Sequence, residues 1–392
     1  MKLGLYFHIP FCVAKCNYCS FVSSNDVSKM TSYHQSILKN VDLHSKLFKN
    51  HTVDSVYFGG GTPSVYFKDG IPDIIKAVRD SFNVAEDCEI TAEANPESLT
   101  REKVEEWKNC GVNRMSIGLQ SADDGLLKVL GRRHTAADFF RAYENAAAAG
   151  IENISADIML GLPGQTLQNI KETIKVLYKL PFLRHLSAYA LKIEAGTPMY
   201  DVCQEGVTGT GLLTKRCQPV RQGVTTCRPH DKALPDDDLS ADMYDLTYKL
   251  LKEQGFNRYE VSNFAKDGFE CRHNLKYWNL DEYLGIGVAA HSYYGGKRYA
   301  ETNDINDYIA GEKPACAELN NEDIRTEYIM LKLRLERGID LNDYSAKFGV
   351  RLEESNGAQF LLKHGLVGVF DGRLFILPDK FYVMNSIILK LI

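Results

Sequence analysis

Three cysteines, Cys12, Cys16 and Cys19, fall within eight residues of the stretch HIPFCVAKCNYCSF. Their spacing is C-x3-C-x2-C. A disulfide uses two thiols, and a structural zinc site uses four ligands, usually brought in pairs such as C-x2-C. A partial zinc site and chance clustering both stay open on spacing alone. Three thiolates would also suit a 4Fe-4S cluster, leaving one of its four irons without a protein ligand. An open coordination position is what separates a reactive metal site from a closed structural one. Such an iron can be chelated by a small molecule that carries both an amine and a carboxylate.

Further groups with chemical potential recur along the chain. VYFGGGTP offers Gly60, Gly61 and Thr62, where a backbone without β-carbons lets a ligand come close; a plain tight turn is the alternative. TAEANPE holds Glu93 and Glu97, which a solvated pair would equally explain. MSIGLQS supplies Gln120, and LGRRHT supplies Arg132 beside Arg133. An arginine can meet a carboxylate by paired hydrogen bonds, or it can be a surface residue near a helix end. SADIMLGLPGQT offers Asp157, suited to a ribose hydroxyl, and a turn through Gly161, Pro163 and Gly164.

These groups need a scaffold, and the sequence outlines one. Extended runs are expected near residues 3–7, 53–58, 88–93, 113–118, 153–159 and 184–190, with helical patterns between them. The first shows Leu3, Leu5, Phe7 and Ile9 in alternation, directly before the three cysteines. Thr100 can cap a helix that stops at Gly111. Thr135 with Asp138 forms a capping box ahead of AADFFRAYENAAAA, which Gly150 ends, and another helix starts near Thr166. Six strands alternating with helices imply parallel pairing with right-handed crossovers. The expected fold class is α/β, a partial (β/α)6 barrel. Chemistry in such barrels sits at the carboxyl ends of the strands, and every motif above falls there.

C-x3-C-x2-C after an N-terminal strand resembles the radical S-adenosylmethionine (SAM) superfamily, and YFHIPFCVAKCNYC is similar to its oxygen-independent coproporphyrinogen III oxidase branch. The resemblance covers most of the chain from Tyr6 onward. It implies a 4Fe-4S cluster on Cys12, Cys16 and Cys19, with S-adenosylmethionine, which has the required amine and carboxylate, on the open iron. In that superfamily the reduced cluster breaks the cofactor's C–S bond to give a 5'-deoxyadenosyl radical. The resemblance also implies cofactor contacts for Gly60, Gly61, Thr62, Glu93, Gln120, Arg132 and Asp157, with Tyr6 and Tyr18 at flanking aromatic positions.

Within the branch, three features point to the heme chaperones rather than the oxidases. The oxidases continue to a fourth cysteine, where this chain has Phe21. They also carry an N-terminal extension before the first strand, and here the strand is expected at about Leu3, without that segment. Third, RHNLKYW matches the chaperones' H-N-x-x-Y-W motif through His273, Asn274, Tyr277 and Trp278. The resemblance links that histidine to heme binding; a hydrogen-bonded structural histidine is the plain alternative. A neutral imidazole is a common iron ligand, and aromatic neighbours suit a porphyrin face. The expectation is a chaperone with heme as cargo and a heme-accepting partner. The alternative is coproporphyrinogen III dehydrogenase, an enzyme that removes two propionate carboxyls.

Composition sets the remaining bounds. The chain has 392 residues, 44% hydrophobic and 25% charged, with net charge −5. That charge gives no general drive toward nucleic acid. No apolar run approaches a membrane span of roughly 20 residues; peripheral membrane contact stays open. Ten cysteines without a small-secreted-domain framework point to the reducing cytoplasm. Residues 1–200 are assigned to the barrel and 201–233 to an inserted flexible loop, in which Cys203, Cys217, Cys227 and His230 match no defensible metal spacing. Residues 234–310 complete the barrel and carry the His273 motif. Residues 311–392 form a small winged-helix-like α+β domain with a hairpin turning at Asp371-Gly372.

Overall fold

A computed structural model describes residues 1–205 and 234–392 of the chain. The expected inserted loop therefore lies, from 206 to 233, outside the described residues, together with Cys217, Cys227, His230 and the side chain of Cys203. The first part alternates strand and helix: β1 (Lys2–Ile9), α1 (Met30–Ser45), β2 (Thr52–Gly60), α2 (Gly70–Ser81), β3 (Asn83–Ala94), α3 (Arg101–Cys110), β4 (Arg114–Gln120), α4 (Asp124–Val129), α5 (Ala136–Ala148), β5 (Ile154–Leu160), α6 (Leu167–Leu177) and β6 (Leu183–Ala190). All six strands pair in parallel, in the order β1 to β6. The α/β reading and the open, partial barrel are correct.

Period-two alternation shapes this sheet. One set of side chains, including Leu5, Phe7, Phe58, Ile90, Ile117 and Leu186, faces the helices and is buried. Each such side chain stabilises by about 1.5–3 kcal/mol. Phe7 and Phe58 stack across the first strand pair with ring centres 5.1 Å apart. The alternate set is polar. Tyr57 bonds Glu93, Ser116 bonds Asp157 and Ser155 bonds His185 on the concave face, where Arg114 feels the charge of Glu89 and Ser55 bonds His273. Parallel strands covered on both faces normally read as continuous apolar runs. The polar set means that the concave side encloses a cleft rather than a second apolar core.

The expected helix signals are present. Thr100 accepts the Lys103 amide and Gly111 ends α3 in the left-handed region. Thr135 with Asp138 and Thr166 with Asn169 both form reciprocal capping boxes.

Beyond β6 come α7 (Pro198–Glu205), α8 (Asp237–Glu253), β7 (Asn257–Arg258), β8 (Asn263–Ala265), α9 (Arg272–Asn279), β9 (Tyr283–Ile286), β10 (His291–Tyr294), β11 (Lys297–Ala300), α10 (Ile305–Ala310) and β12 (Ala315–Glu318). Strand β9 joins β1 in parallel, and β10, β11 and β12 continue that edge antiparallel. Two expected boundaries move. Residue 201 lies inside α7 rather than starting a loop. Residues 315–318 pair with β11, so the last domain begins after them.

That domain contains α11 (Asn321–Lys332), β13 (Ile339–Asp340), α12 (Leu341–Phe348), α13 (Asn356–Lys363), β14 (Val367–Phe370), β15 (Arg373–Ile376) and α14 (Met384–Ile388). The hairpin turns at Asp371-Gly372, both with positive φ. Buried Arg258 ties the domain to the barrel: its guanidinium carbon sits 3.6 Å from the Phe381 ring centre and its Nε 3.5 Å from Glu336. Among the described residues no helix is long and apolar enough to cross a membrane.

Candidate functional site

A cavity of about 420 Å³ opens at the carboxyl ends of the strands. The loop after β1 forms one wall and is pinned along its length. The Gly61 and Thr62 amides, at the end of β2, donate to the carbonyls of Ile9 and Phe11, each at 2.9 Å. A β-carbon on Gly61 would come within 2.8 Å of the Pro10 carbonyl carbon, so this junction requires glycine. Ser24 closes the loop by donating to Pro10 and accepting from the Cys12 amide. At its tip Asn17 donates to Leu130 and, through its side chain, to Val129.

Cys12, Cys16 and Cys19 all line the cavity, and none is in a disulfide. Burial raises the thiol pKa of Cys12 and Cys19. Among the described residues no three His, Cys, Asp or Glu side chains close around a single ion. The three thiols share the wall of one cavity.

A hydrogen-bonded chain links two of the thiols. Cys12 Sγ lies 3.3 Å from Thr62 Oγ1, which accepts from Asn95 Nδ2 at 3.1 Å. Asn95 Oδ1 accepts from Arg132 Nη2 at 2.7 Å, and Arg132 Nη1 reaches Cys16 Sγ at 3.6 Å. Arg132 also donates to the Gly118 carbonyl at 3.2 Å. The buried guanidinium thus meets two neutral oxygen acceptors and a cavity thiol.

Two buried carboxyls face the same cavity, whose rim also carries Glu194. Glu93 accepts from the Tyr57 hydroxyl at 2.7 Å, and burial pushes its pKa up to about 7. Asp157 accepts from Ser116 Oγ at 2.9 Å, and burial raises its pKa as well. Gln120 ends β4 with φ at 68°, left-handed backbone for a residue with a β-carbon, a strain of about 1–3 kcal/mol. Gln165 braces the turn after β5, donating to the Met159 carbonyl and accepting from the Leu162 amide.

The expected residues Cys12, Cys16, Tyr18, Cys19, Gly60, Gly61, Thr62, Glu93, Gln120, Arg132 and Asp157 all line this cavity. Tyr6 does not. It lies deeper, its ring stacked on Tyr57 with centres 6.2 Å apart and its hydroxyl 3.3 Å from His8 Nδ1. The sixth residue of the chain points into the barrel below the cavity because the cysteine loop starts only after Ile9. Glu97 separates from Glu93 and pairs with His134 at 3.5 Å. Asn95, Ser116, Tyr57 and Tyr189 were not anticipated. Asn95 stands two residues after Glu93, and same-face parity was the available signal.

His273 stands apart from the cavity. It is fully buried in α9, with Nδ1 3.0 Å from Ser55 Oγ and Nε2 2.8 Å from the Tyr277 hydroxyl. Both ring nitrogens are therefore engaged, and ligation of an iron through either one requires breaking a bond. Burial, then the charges of Lys276 and Arg114, lower its pKa to about 3. Glu89 of β3 caps this helix from outside, accepting the Arg272 and His273 amides at 3.1 and 3.2 Å.

Comparison with known proteins adds to this geometry. The family model described as the radical SAM superfamily matches residues 6–177, and that described as the HemN C-terminal domain matches residues 319–379. The chain is 32% identical over 357 residues to the heme chaperone HemW of Bacillus subtilis, covering 89% of this chain and 87% of the relative. It is 32% identical over 386 residues to the heme chaperone HemW of Mycobacterium tuberculosis, covering 96% and 93%. Among solved structures, the coproporphyrinogen III oxidase HemN of Escherichia coli, a radical SAM enzyme, aligns with TM-score 0.80 over 100% of this chain and 90% of that one. At 20% identity, that likeness speaks to fold alone.

Proposed function

We propose that this chain, which belongs to the heme chaperone HemW family of the radical SAM superfamily, holds a 4Fe-4S cluster and S-adenosylmethionine in the cavity and carries heme to an acceptor protein. One observation carries the reading: three thiols, a buried guanidinium and two buried carboxyls converge on one cavity at strand carboxyl ends. The donor set fits the groups. Thiolates suit iron, carboxyls suit amino N–H groups and ribose hydroxyls, and a guanidinium suits a carboxylate.

When bound, the cluster supplies one-electron chemistry beside the nucleoside. Cys12, Cys16 and Cys19 would hold it. Gly60, Gly61, Thr62 and Glu93 would receive the amino end of the cofactor, Arg132 its carboxylate, and Asp157 its ribose. Gln120 and Tyr18 would complete the wall. Arg132 offsets negative charge on the thiolates, and Asn95 holds it in place. His273 is the candidate iron ligand for heme. Free thiols of this kind need a reducing compartment, in our reading the cytoplasm.

Glu93 gives the site a pH dependence. A carboxyl raised to about 7 must lose its proton before it can accept from the cofactor's amino group as an anion. Binding of S-adenosylmethionine to the reconstituted protein should therefore tighten as pH rises from about 6 to about 8. Glu93→Gln should bind more weakly and with a shallower slope, as measured by equilibrium dialysis. An unchanged slope would remove Glu93 from the amino-end contact.

The reading as a whole is tested by two assays on the anaerobically reconstituted protein. It should bind hemin in an approximately one-to-one complex. It should not decarboxylate coproporphyrinogen III with S-adenosylmethionine and reductant present. Turnover to protoporphyrinogen would make it an oxidase instead.

A further inference from the structure

A second cavity, of about 630 Å³, lies against the first and shares its wall from Tyr189 to Lys192. Its volume is within the range of small-molecule sites. It sits where three parts of the chain meet. The end of β6 contributes Tyr189 and Lys192, helix α9 contributes Tyr277 and Trp278, and the last domain contributes Arg334. Three aromatic rings thus border a space that also meets two cations.

Arg334 is the informative residue. Its guanidinium carbon is 5.9 Å from the Trp278 ring centre, and its Nη2 makes one long hydrogen bond, 3.4 Å, to Asn385. Among the described residues no carboxylate lies within ion-pair distance of it, in contrast to Arg258, which has Glu336. Partial burial lowers its pKa, against a smaller opposing effect of the Glu260 carboxyl. Lys192 is mostly exposed and already pairs with Glu194 at 2.5 Å. The acid in this wall, Glu260, is fully buried, and its oxygens are taken by the Ser262 amide at 3.0 Å and the Asn263 side chain. Its oxygens are satisfied internally, so it favours the Arg334 charge only at a distance and makes no ion pair with it.

We propose that this second cavity is the seat of the iron porphyrin, with Tyr277 and Trp278 against the macrocycle and Arg334, helped by Lys192, holding its propionates. The assignment rests on the heme-chaperone reading and adds the place and the groups that select the cargo. A flat aromatic body suits the ring-lined wall, and two carboxylates suit an unpaired guanidinium and a rim ammonium. The last domain then has a role in recognition, because Arg334 is its contribution to the cavity. The shared wall also sets the cargo directly beside the cluster cavity.

The test uses full-length reconstituted protein titrated with hemin and with hemin dimethyl ester, both delivered in the same detergent. The wild type should prefer the free acid by about tenfold, the effect of one charge-assisted contact. Arg334→Gln should lose about tenfold for hemin and nothing for the ester. Arg334→Lys should recover part of the loss. Lys192→Gln should lose only about twofold, being exposed and already paired. Cluster iron content and melting temperature should be unchanged in all three, which separates the effect from misfolding. Equal binding of acid and ester by the wild type, or wild-type hemin affinity in Arg334→Gln, would overturn the site. A wild type that binds neither porphyrin would overturn the heme-chaperone reading itself, and the site with it.

Discussion

Cys16→Ser protein, reconstituted anaerobically with iron and sulfide, should retain less than about one tenth of the wild-type iron and lose the broad visible absorbance, where the wild type holds about four irons per chain. The thiolate is the ligand, and a serine hydroxyl is too weak an acid to replace it near neutral pH. Cys16 is also the thiol that Arg132 reaches, so the substitution changes one of the three contacts of the buried guanidinium as well. Cys88→Ser and Cys110→Ser are the matched controls. Cys88 is buried, with its thiol toward the Glu89 carbonyl, and Cys110 donates to Trp107 within α3. Neither lines the cavity, so each should keep the full iron content, whatever it costs in stability. Full iron in Cys16→Ser would place the cluster elsewhere.

Much of this site is legible in the sequence because its residues lie at strand ends, and strands announce their ends. Leu3, Leu5, Phe7 and Ile9 mark β1, and the cysteines follow at once. Glycines after Phe58 and the Thr135 and Thr166 boxes mark where strands stop and helices begin. The interior network was less legible, since its bonds join residues far apart in the chain. Ser116 with Asp157 spans 41 residues, and Glu89 with the start of α9 spans more than 180. A partial signal exists, however. Glu89, Thr91 and Glu93 alternate with Ile90, Ala92 and Ala94 in a strand paired on both sides, and Asn95 follows it directly. Such a strand has reason to be polar on one face only if that face encloses something.

The antiparallel edge was also missed. Its strands are four residues each, too short for periodicity to register. Gly295-Gly296, both with positive φ and flanked by Tyr293-Tyr294 and Lys297-Arg298, was the hairpin signal available. Tyr6 shows the opposite failure: a matching position with a different neighbourhood. Family pattern aligned it with the cofactor, whereas the depth of β1 puts it below the cavity, against Tyr57.

His273 and Tyr277 should give opposite results in a hemin titration. With both ring nitrogens bonded and its pKa lowered to about 3, His273 is a neutral imidazole held shut. An ordinary histidine titrates near 6.5, and its protonation would compete with iron as pH falls. Here that competition is absent, so hemin affinity should be flat between about pH 6 and pH 8 as far as this residue is concerned. The competitor is the Tyr277 hydroxyl, 2.8 Å from Nε2. Tyr277 lines the second cavity and His273 does not, so the tyrosine stands between the imidazole and that cavity. One such hydrogen bond contributes about 1 kcal/mol net. Tyr277→Phe should therefore bind hemin about fivefold tighter, because ligation no longer breaks it. His273→Ala should bind at least about tenfold more weakly, with a shifted visible spectrum, since the ligand itself is gone. Iron content of the cluster should be unchanged in both, as the cysteine loop and α9 share no bond. Wild-type spectrum and affinity in His273→Ala would move the iron ligand to another residue. Weaker binding in Tyr277→Phe would mean that the hydroxyl contacts the porphyrin rather than guarding the histidine.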